Sequence, residues 1–269
     1  MSYYQIEKIR PSVYTIYDPL GVYCYLVVGN KKALLFDVAH GISSLKEVVS
    51  EICDLPVEVV LSHGHWDHTE GAGEFQTLWL HPKDEHIFRR CFTKETRSLI
   101  CDMYQEQIQT FTKGRFQIEA YIEGVAIPAI KHLEEDQVFD LGGVTAQIIS
   151  MEGHTPGSVG LLLEKEKLLL TGDAANGHCW MFLEDSLEMP VYIAMLRKVF
   201  RLDFTTFCMS HAKKEFPKSD FEQYRKVAEN ITLEKAKPYD YKFKELGGYI
   251  YQEGDVAIVF DPKRLRQSV

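Results

Sequence analysis

Leu61-Ser62-His63-Gly64-His65-Trp66-Asp67-His68-Thr69 places four metal-capable side chains within six residues, directly after the apolar run Val57-Glu58-Val59-Val60-Leu61. A β-branched run broken by Ser-His-Gly reads as a buried strand ending in a loop, and Thr69-Glu70-Gly71-Ala72-Gly73 predicts a helix starting soon after. The candidate ligands then sit at the C-terminal end of a strand, where α/β sheets place their sites. His63 and His65 stand two apart, so in near-extended backbone both imidazoles point the same way and can hold one ion. Asp67 and His68 follow where the chain turns into the helix, which aims them at a second point. Neutral imidazole suits zinc, iron or manganese, and a carboxylate beside it hardens the second position. Any one of these residues alone is more often a helix cap or a satisfied core group. Four of them in six positions point to metal.

The pattern His63-x-His65-x-Asp67-His68 resembles the signature of the metallo-β-lactamase superfamily, and the rest of that pattern follows downstream in order. Glu152-Gly153-His154-Thr155-Pro156-Gly157-Ser158 is similar to the third-histidine segment, Leu170-Thr171-Gly172-Asp173 to the bridging aspartate, and Met209-Ser210-His211 to the last histidine. The resemblance runs from about Asp37 to His211. It implies that His63, His65 and His154 bind one metal, that Asp67, His68 and His211 bind a second, and that Asp173 bridges them. It implies an α+β fold, the four-layer αββα sandwich, with the metals at the edge between the sheets. It also implies two divalent cations, zinc first, with iron or manganese as alternatives. Asp37 stands where the family usually carries an aspartate behind the ligands, although plain turn chemistry fits it equally.

Two cations about 3.5–4 Å apart can share a hydroxide and bring its pKa toward about 7, which defines a hydrolase with Asp67 and Asp173 as the carboxylates serving the chemistry. No serine or cysteine nucleophile is then required. True β-lactamases of the superfamily generally lack a bridging aspartate at the position of Asp173, so the pattern is closer to glyoxalase II-like thioesterases and lactonases. Flavin-partnered diiron members usually carry Glu where this chain has His65. The expected substrate is a small acyl compound, thioester or lactone. A phosphodiesterase of the same fold and a mononuclear iron persulfide dioxygenase are the alternatives.

The chain has 269 residues, enough for a large core, and nothing in it resembles a linker. We expect one domain over 1–269 with a helical insertion at about 83–130. Met1-Ser2-Tyr3-Tyr4-Gln5-Ile6-Glu7 has no basic region followed by an apolar stretch, and no run approaches the roughly 18 apolar residues of a spanning helix. Six scattered cysteines without a Cys-x-x-Cys pair read as free thiols of a reducing compartment, which suggests a soluble cytoplasmic protein away from membranes. Thirty Lys plus Arg against 39 Asp plus Glu give a net charge of −9, which argues against a nucleic-acid partner. The expected partner is a small-molecule substrate, with a homodimer as a further possibility.

Around the motif, Val13–Tyr17, Val22–Val28 and Ala33–Asp37 predict an antiparallel meander, and Ile42–Cys53 a helix with Leu45, Val48, Val49 and Ile52 on one face. Thr77–Leu80 reads as a strand. Ile87, Phe88, Cys91 and Phe92, then Leu99, Ile100, Met103, Tyr104, Ile108 and Phe111, recur at three and four and predict two amphipathic helices, packed against the core with a contribution to a lid, a dimer surface being the alternative. Asn176–Met189 reads as a loop whose Trp180, Met181 and Phe182 form a pocket wall or pack inward. Lys32–Asp37 is echoed by Lys167–Asp173, and Leu61-Ser62-His63 by Met209-Ser210-His211, which hints at two similar halves. His40, His81, His86, His132 and His178 match no ligand position and read as surface or core residues. Lys213 and Lys214 read as solvated, or as an anchor for an anionic group.

Overall fold

A computed structural model describes residues 3–240 and 247–265. Met1 and Ser2, part of the N-terminal stretch read above, lie outside the described residues. The chain forms two compact units, Met1–Ala146 and Gln147–Val269.

In the first unit, β1 (Gln5–Arg10), β2 (Val13–Asp18), β3 (Val22–Val28) and β4 (Ala33–Phe36) form the antiparallel meander. Strand β1 escaped the sequence reading because its side chains are mostly exposed on a charged sheet edge, where no alternation is demanded. Helix α1 (Leu45–Ile52) then crosses over to β5 (Val57–Val60), which runs parallel to β4. It starts three residues later than expected because Gly41 takes a left-handed φ of 69° and the Ser44 hydroxyl accepts from the Glu47 amide as N-cap. Glu74 reinforces that end, its carboxylate accepting from the Leu45 and Lys46 amides.

Helix α2 (Trp66–Thr69) begins inside the His/Asp motif, not after it, and a 3-10 turn over Glu70–Glu74 takes the place of the expected helix. Strand β6 (Thr77–Leu80) follows, then α3 (Glu85–Cys91), α4 (Lys94–Met103), α5 (Gln105–Thr112) and α6 (Ile118–Glu123), and β7 (Ala129–His132) closes the seven-stranded sheet. The two expected helices are thus four short ones. Thr93 caps α4 through the Thr96 amide, the chain breaks at Tyr104, and Lys113 and Gly114 end α5 with left-handed φ of 55° and 69°. The three-and-four spacing ran through these breaks because Phe88, Phe92, Ile100 and Ile108 all join one core cluster with Leu26, Leu35, Val59 and Leu78. Strand β8 (Val138–Asp140) leads through the Gly142-Gly143 turn into β9 (Thr145–Ser150).

In the second unit, β10 (Val159–Leu163) pairs antiparallel with β9 and with β11 (Leu168–Leu170), and β13 (Thr206–Cys208) runs parallel to β11. A smaller sheet has the order β12 (His178–Met181), β17 (Val256–Phe260), β16 (Gly247–Glu253), β15 (Lys237–Asp240), with β14 (Phe216–Pro217) paired to β13. Strand β12 lies within the expected loop. Its four residues alternate correctly, with Cys179 and Met181 buried, but the run is too short to stand out beside Asn176-Gly177. Helices α7 (Met189–Phe200) and α8 (Lys218–Asn230) bury Tyr192, Met195, Leu196, Phe221 and Val227 in one cluster with Phe207, Ile258 and Phe260. Phe182 is buried against Tyr239, so of the suspected pocket wall Met181 and Phe182 are packing residues. The protein is α+β, as expected.

The sequence echo is structural. In the first unit β4 runs parallel to β5, and the Asp37 amide after β4 donates to the Val60 carbonyl at 2.9 Å. In the second, β11 runs parallel to β13, and the Thr171 amide donates to the Cys208 carbonyl at 2.9 Å. Each pair delivers an aspartate from one strand and Ser-His from its neighbour.

Candidate metal centre

In the first unit the chain leaves β5 through Leu61, whose amide donates to Trp79, and Ser62 follows fully buried. His65 is the N-cap of α2 with extended φ and ψ of −76° and 150°, so His63 and His65 lie on one side with ring centroids 4.8 Å apart. Gly64 between them admits the start of α3: a Cβ there would lie 2.8 Å from the Asp84 carbonyl, and its amide donates to the Asp84 carboxylate at 2.9 Å. The first turn of α2 then brings the His68 ring to 4.3 Å from that of His63, with Asp67 Oδ2 3.5 Å from His68 Nε2.

One buried carboxylate orients this group. Asp37, held at a φ of 66°, accepts from the Ser62 amide at 2.7 Å and hydroxyl at 2.8 Å, and pairs with His68 Nδ1 at 2.9 Å. The Ser62 hydroxyl, having donated to Asp37, accepts from His63 Nδ1 at 2.9 Å. Protons on Nδ1 of both rings leave Nε2 as the basic nitrogen, which is how a metal-ligating histidine is usually prepared.

In the second unit, Gly153, at a φ of 152° and against the Tyr192 ring, bends the chain after β9 so that His154 is buried. His154 Nδ1 lies 2.7 Å from the Trp180 carbonyl, which can only accept, so this ring also presents Nε2. Gly172, at a φ of 54°, turns Asp173 out of β11. Its Oδ2 stands 3.9 Å from His154 Nε2 and its Oδ1 3.3 Å from His211 Nε2. One carboxylate thus offers a different oxygen to each of two imidazoles. Each unit gathers its own share of the expected donors: His63, His65, Asp67 and His68 in the first, His154, Asp173 and His211 in the second. Imidazole Nε2 and carboxylate oxygens in this mixture fit a divalent cation such as zinc, iron or manganese.

The chain from Tyr17 to His211 matches the profile of the metallo-beta-lactamase superfamily, residues 17–211. The chain belongs to the metallo-β-lactamase superfamily. Curated relatives include a lactamase-like protein of Pestalotiopsis fici, 23% identical over 64% of this chain and 48% of its own length. An acyl-coenzyme A thioesterase of Homo sapiens is 25% identical over 55% of this chain and 56% of its own, and a hydroxyacylglutathione hydrolase of Haemophilus influenzae 27% over 56% and 65%. The chain spans about half the length of the first two of these relatives. Among solved structures, a metallo-beta-lactamase from Pontibacter korlensis aligns with a TM-score of 0.57 at 16% identity, covering 85% of this chain and 100% of that one. A metallo-beta-lactamase family protein from Thermus thermophilus gives 0.57 at 19%, covering 81% and 80%. This is the metallo-β-lactamase fold.

Three supporting residues carried no signal in the sequence. Ser62 and Asp84 act through hydrogen bonds set by distant loops. Arg97, on α4, reaches the residue after α2: its Nε donates to Glu70 Oε2 at 2.7 Å, while its two terminal nitrogens donate to the carbonyls of Tyr121 and Glu70. Burial pushes the Glu70 carboxyl up to about 7 against the pull of that guanidinium. Trp66 covers the start of α2, half-buried. His40 is buried, while His86, His132 and His178 are exposed and His81 is half-buried. Lys213 and Lys214 are exposed, the second with its ammonium 4.6 Å from the Phe216 ring. Among the described residues no helix is long and apolar enough to cross a membrane.

Proposed function

We propose that the chain is a metal-dependent hydrolase holding two divalent cations, zinc first, and cleaving a small acyl substrate, a thioester or a lactone. The observation that carries this reading is Asp173, whose two oxygens face two different imidazoles. His63, His65 and His154 would hold one cation, Asp67, His68 and His211 the other, and Asp173 would serve both. When bound, such a pair supplies a nucleophile at neutral pH and a Lewis acid for the scissile carbonyl. The chain's own task is orientation: Asp37, directly and through Ser62, fixes the rings of His68 and His63, and the Trp180 carbonyl fixes that of His154. In this reading the two units work as one domain, and the insertion of about 83–130 shapes the entrance. Free cysteines throughout the described chain suit a reducing compartment, and we assign the cytoplasm.

An acyl substrate is favoured over a phosphodiester on two grounds. Relatives named as thioesterases and as a hydroxyacylglutathione hydrolase support it. A thiolate also leaves with a pKa near about 8.5 and needs no dedicated acid. The test is kcat/KM for an acyl thioester and for bis(p-nitrophenyl) phosphate under identical metal loading. The thioester is expected to win; a clear preference for the phosphodiester, lost in Lys213→Ala/Lys214→Ala, reverses the ranking.

Asp37→Asn tests the orienting role. The amide keeps the shape but cannot accept from all three of its present donors, so metal affinity is expected to fall by about 10–100-fold. Competition with a chromophoric chelator measures it, and an unchanged affinity would leave Asp37 with turn chemistry alone.

A further inference from the structure

His40 lies in the loop from β4 to α1, a segment built under strain. Asp37 and Ala39 hold left-handed φ of 66° and 53°, a conformation that side chains adopt only where the surroundings enforce it. The enforcement comes from the motif: the Val38 amide donates to the His68 carbonyl at 2.9 Å, and the Gly71 amide to the Ala39 carbonyl at 3.2 Å. The loop therefore places His40 against the metal motif as firmly as it places Asp37.

The ring is oriented by a second buried carboxylate. Asp18 Oδ2 lies 3.0 Å from His40 Nδ1 and 3.3 Å from its amide, while Oδ1 accepts from the Tyr3 hydroxyl at 2.8 Å and the Leu20 amide at 2.9 Å. With Tyr3, Leu20 and the His40 amide all donating to it, Asp18 accepts from Nδ1–H as well, and in the neutral ring Nε2 then carries the lone pair. That nitrogen is buried and has no hydrogen-bond partner among the described residues. The His40 ring packs edge-to-face with two half-buried rings, Trp66 of the motif at 5.5 Å and Tyr104 of the insertion at 5.6 Å between centroids. Tyr121, also of the insertion, donates its hydroxyl to the His40 carbonyl at 2.7 Å.

A histidine that only packs would need no acceptor left over, since a buried polar atom without a partner is costly and uncommon in a folded chain. We propose that His40, oriented by Asp18, is a substrate-binding residue whose Nε2 accepts a hydrogen bond from a substrate hydroxyl beside Trp66 and Tyr104. A hydroxyl fits better than an amide: it needs one acceptor, whereas an amide brings a carbonyl that would need a donor between two ring edges. The assignment rests on the acyl-hydrolase reading for the scissile group, and adds a hydroxyl on the acyl chain as the specificity element. It also gives the insertion a role, since Tyr104 and Tyr121 both close this corner.

The test uses the metal-loaded full chain with butanoyl thioester and its 2-, 3- and 4-hydroxy derivatives on one thiol. One hydroxylated isomer is expected to exceed the butanoyl compound in kcat/KM by about ten-fold or more, as a site built for a hydroxyl rejects the analogue lacking it. His40→Asn keeps a donor toward Asp18 and removes the acceptor, so that ratio should fall to within about two-fold of unity. His40→Gln, with an oxygen near the place of Nε2, should restore part of it. No isomer favoured, or a ratio intact in His40→Asn, overturns the proposal. A second measurement stands apart from turnover and from the folding of variants. In wild-type protein with 15N-labelled histidine, the His40 Nε2 resonance should move on adding the matching hydroxybutanoate and not on adding butanoate. If no thioester is cleaved but the resonance moves, the acyl-hydrolase reading falls and the hydroxyl site stands; a resonance that ignores all the acids removes the hydroxyl site.

Discussion

Asp173→Ala is expected to lower the occupancy of both cation positions and to cut kcat/KM by about 10²–10³-fold, the scale of losing one charge-stabilising group in a catalytic site. The expectation comes from how the carboxylate is shared. With Oδ2 toward His154 and Oδ1 toward His211, it would serve both cation positions of the proposed site, so its removal should weaken each at once. His211→Ala supplies the contrast, since it should weaken one position and spare the other. The fold should tolerate Asp173→Ala, because the turn that presents it is held by the Thr171 amide and hydroxyl on the Cys208 carbonyl, neither of which is removed. Elemental analysis after dialysis reads the outcome as metal per chain. A single tightly bound iron, unchanged in the variant, would move the protein to the mononuclear dioxygenase reading.

What was legible in the sequence follows a physical division. His63, His65, Asp67 and His68 were legible because they are local: an extended His-Gly-His and one helical turn bring them together within six residues. His154, Asp173 and His211 lie far apart in the chain and are recognisable through resemblance alone, and their proximity to one another depends on β9, β10, β11 and β13 being successive neighbours in one sheet. The meander and the crossover helix were legible because half-buried strands and one-sided helices impose periodicity. Strand β1 had little apolar burial to impose it, and β12 was too short. The number of helices in the insertion was hidden for a different reason: Thr93, Tyr104 and Lys113 break the backbone without interrupting the buried face. Ser62, Asp84 and Arg97 were silent, since a serine, an aspartate and an arginine mean nothing until their partners are placed.

Arg97→Met is expected to destabilise the protein by about 3–5 kcal/mol, the cost of breaking a buried ion pair from one side. Both partners are buried, and every guanidinium nitrogen of Arg97 is committed, to the Glu70 carboxylate and to the carbonyls of Glu70 and Tyr121. Methionine retains the apolar stem between the Phe92 and Tyr121 rings, which lie 5.0 and 4.8 Å from the guanidinium, so the loss is mainly polar. Glu70 would be left in a place where burial already raises its carboxyl, with its Oε1 lacking a hydrogen-bond partner among the described residues even in the wild type. The double variant Arg97→Met/Glu70→Gln should recover about half of the loss, because removing the charge removes the larger part of the penalty. Urea unfolding of the four proteins of the cycle measures the coupling. A single variant costing less than about 1 kcal/mol, or a double variant no better than the single, would mean the pair is solvated in solution and holds nothing. Because Glu70 directly follows the helix that carries Asp67 and His68, the pair fastens the insertion to the motif itself. In the proposed reading, the exposed faces of α3 to α6 are open to change for a new substrate, while the buried Arg97 is not.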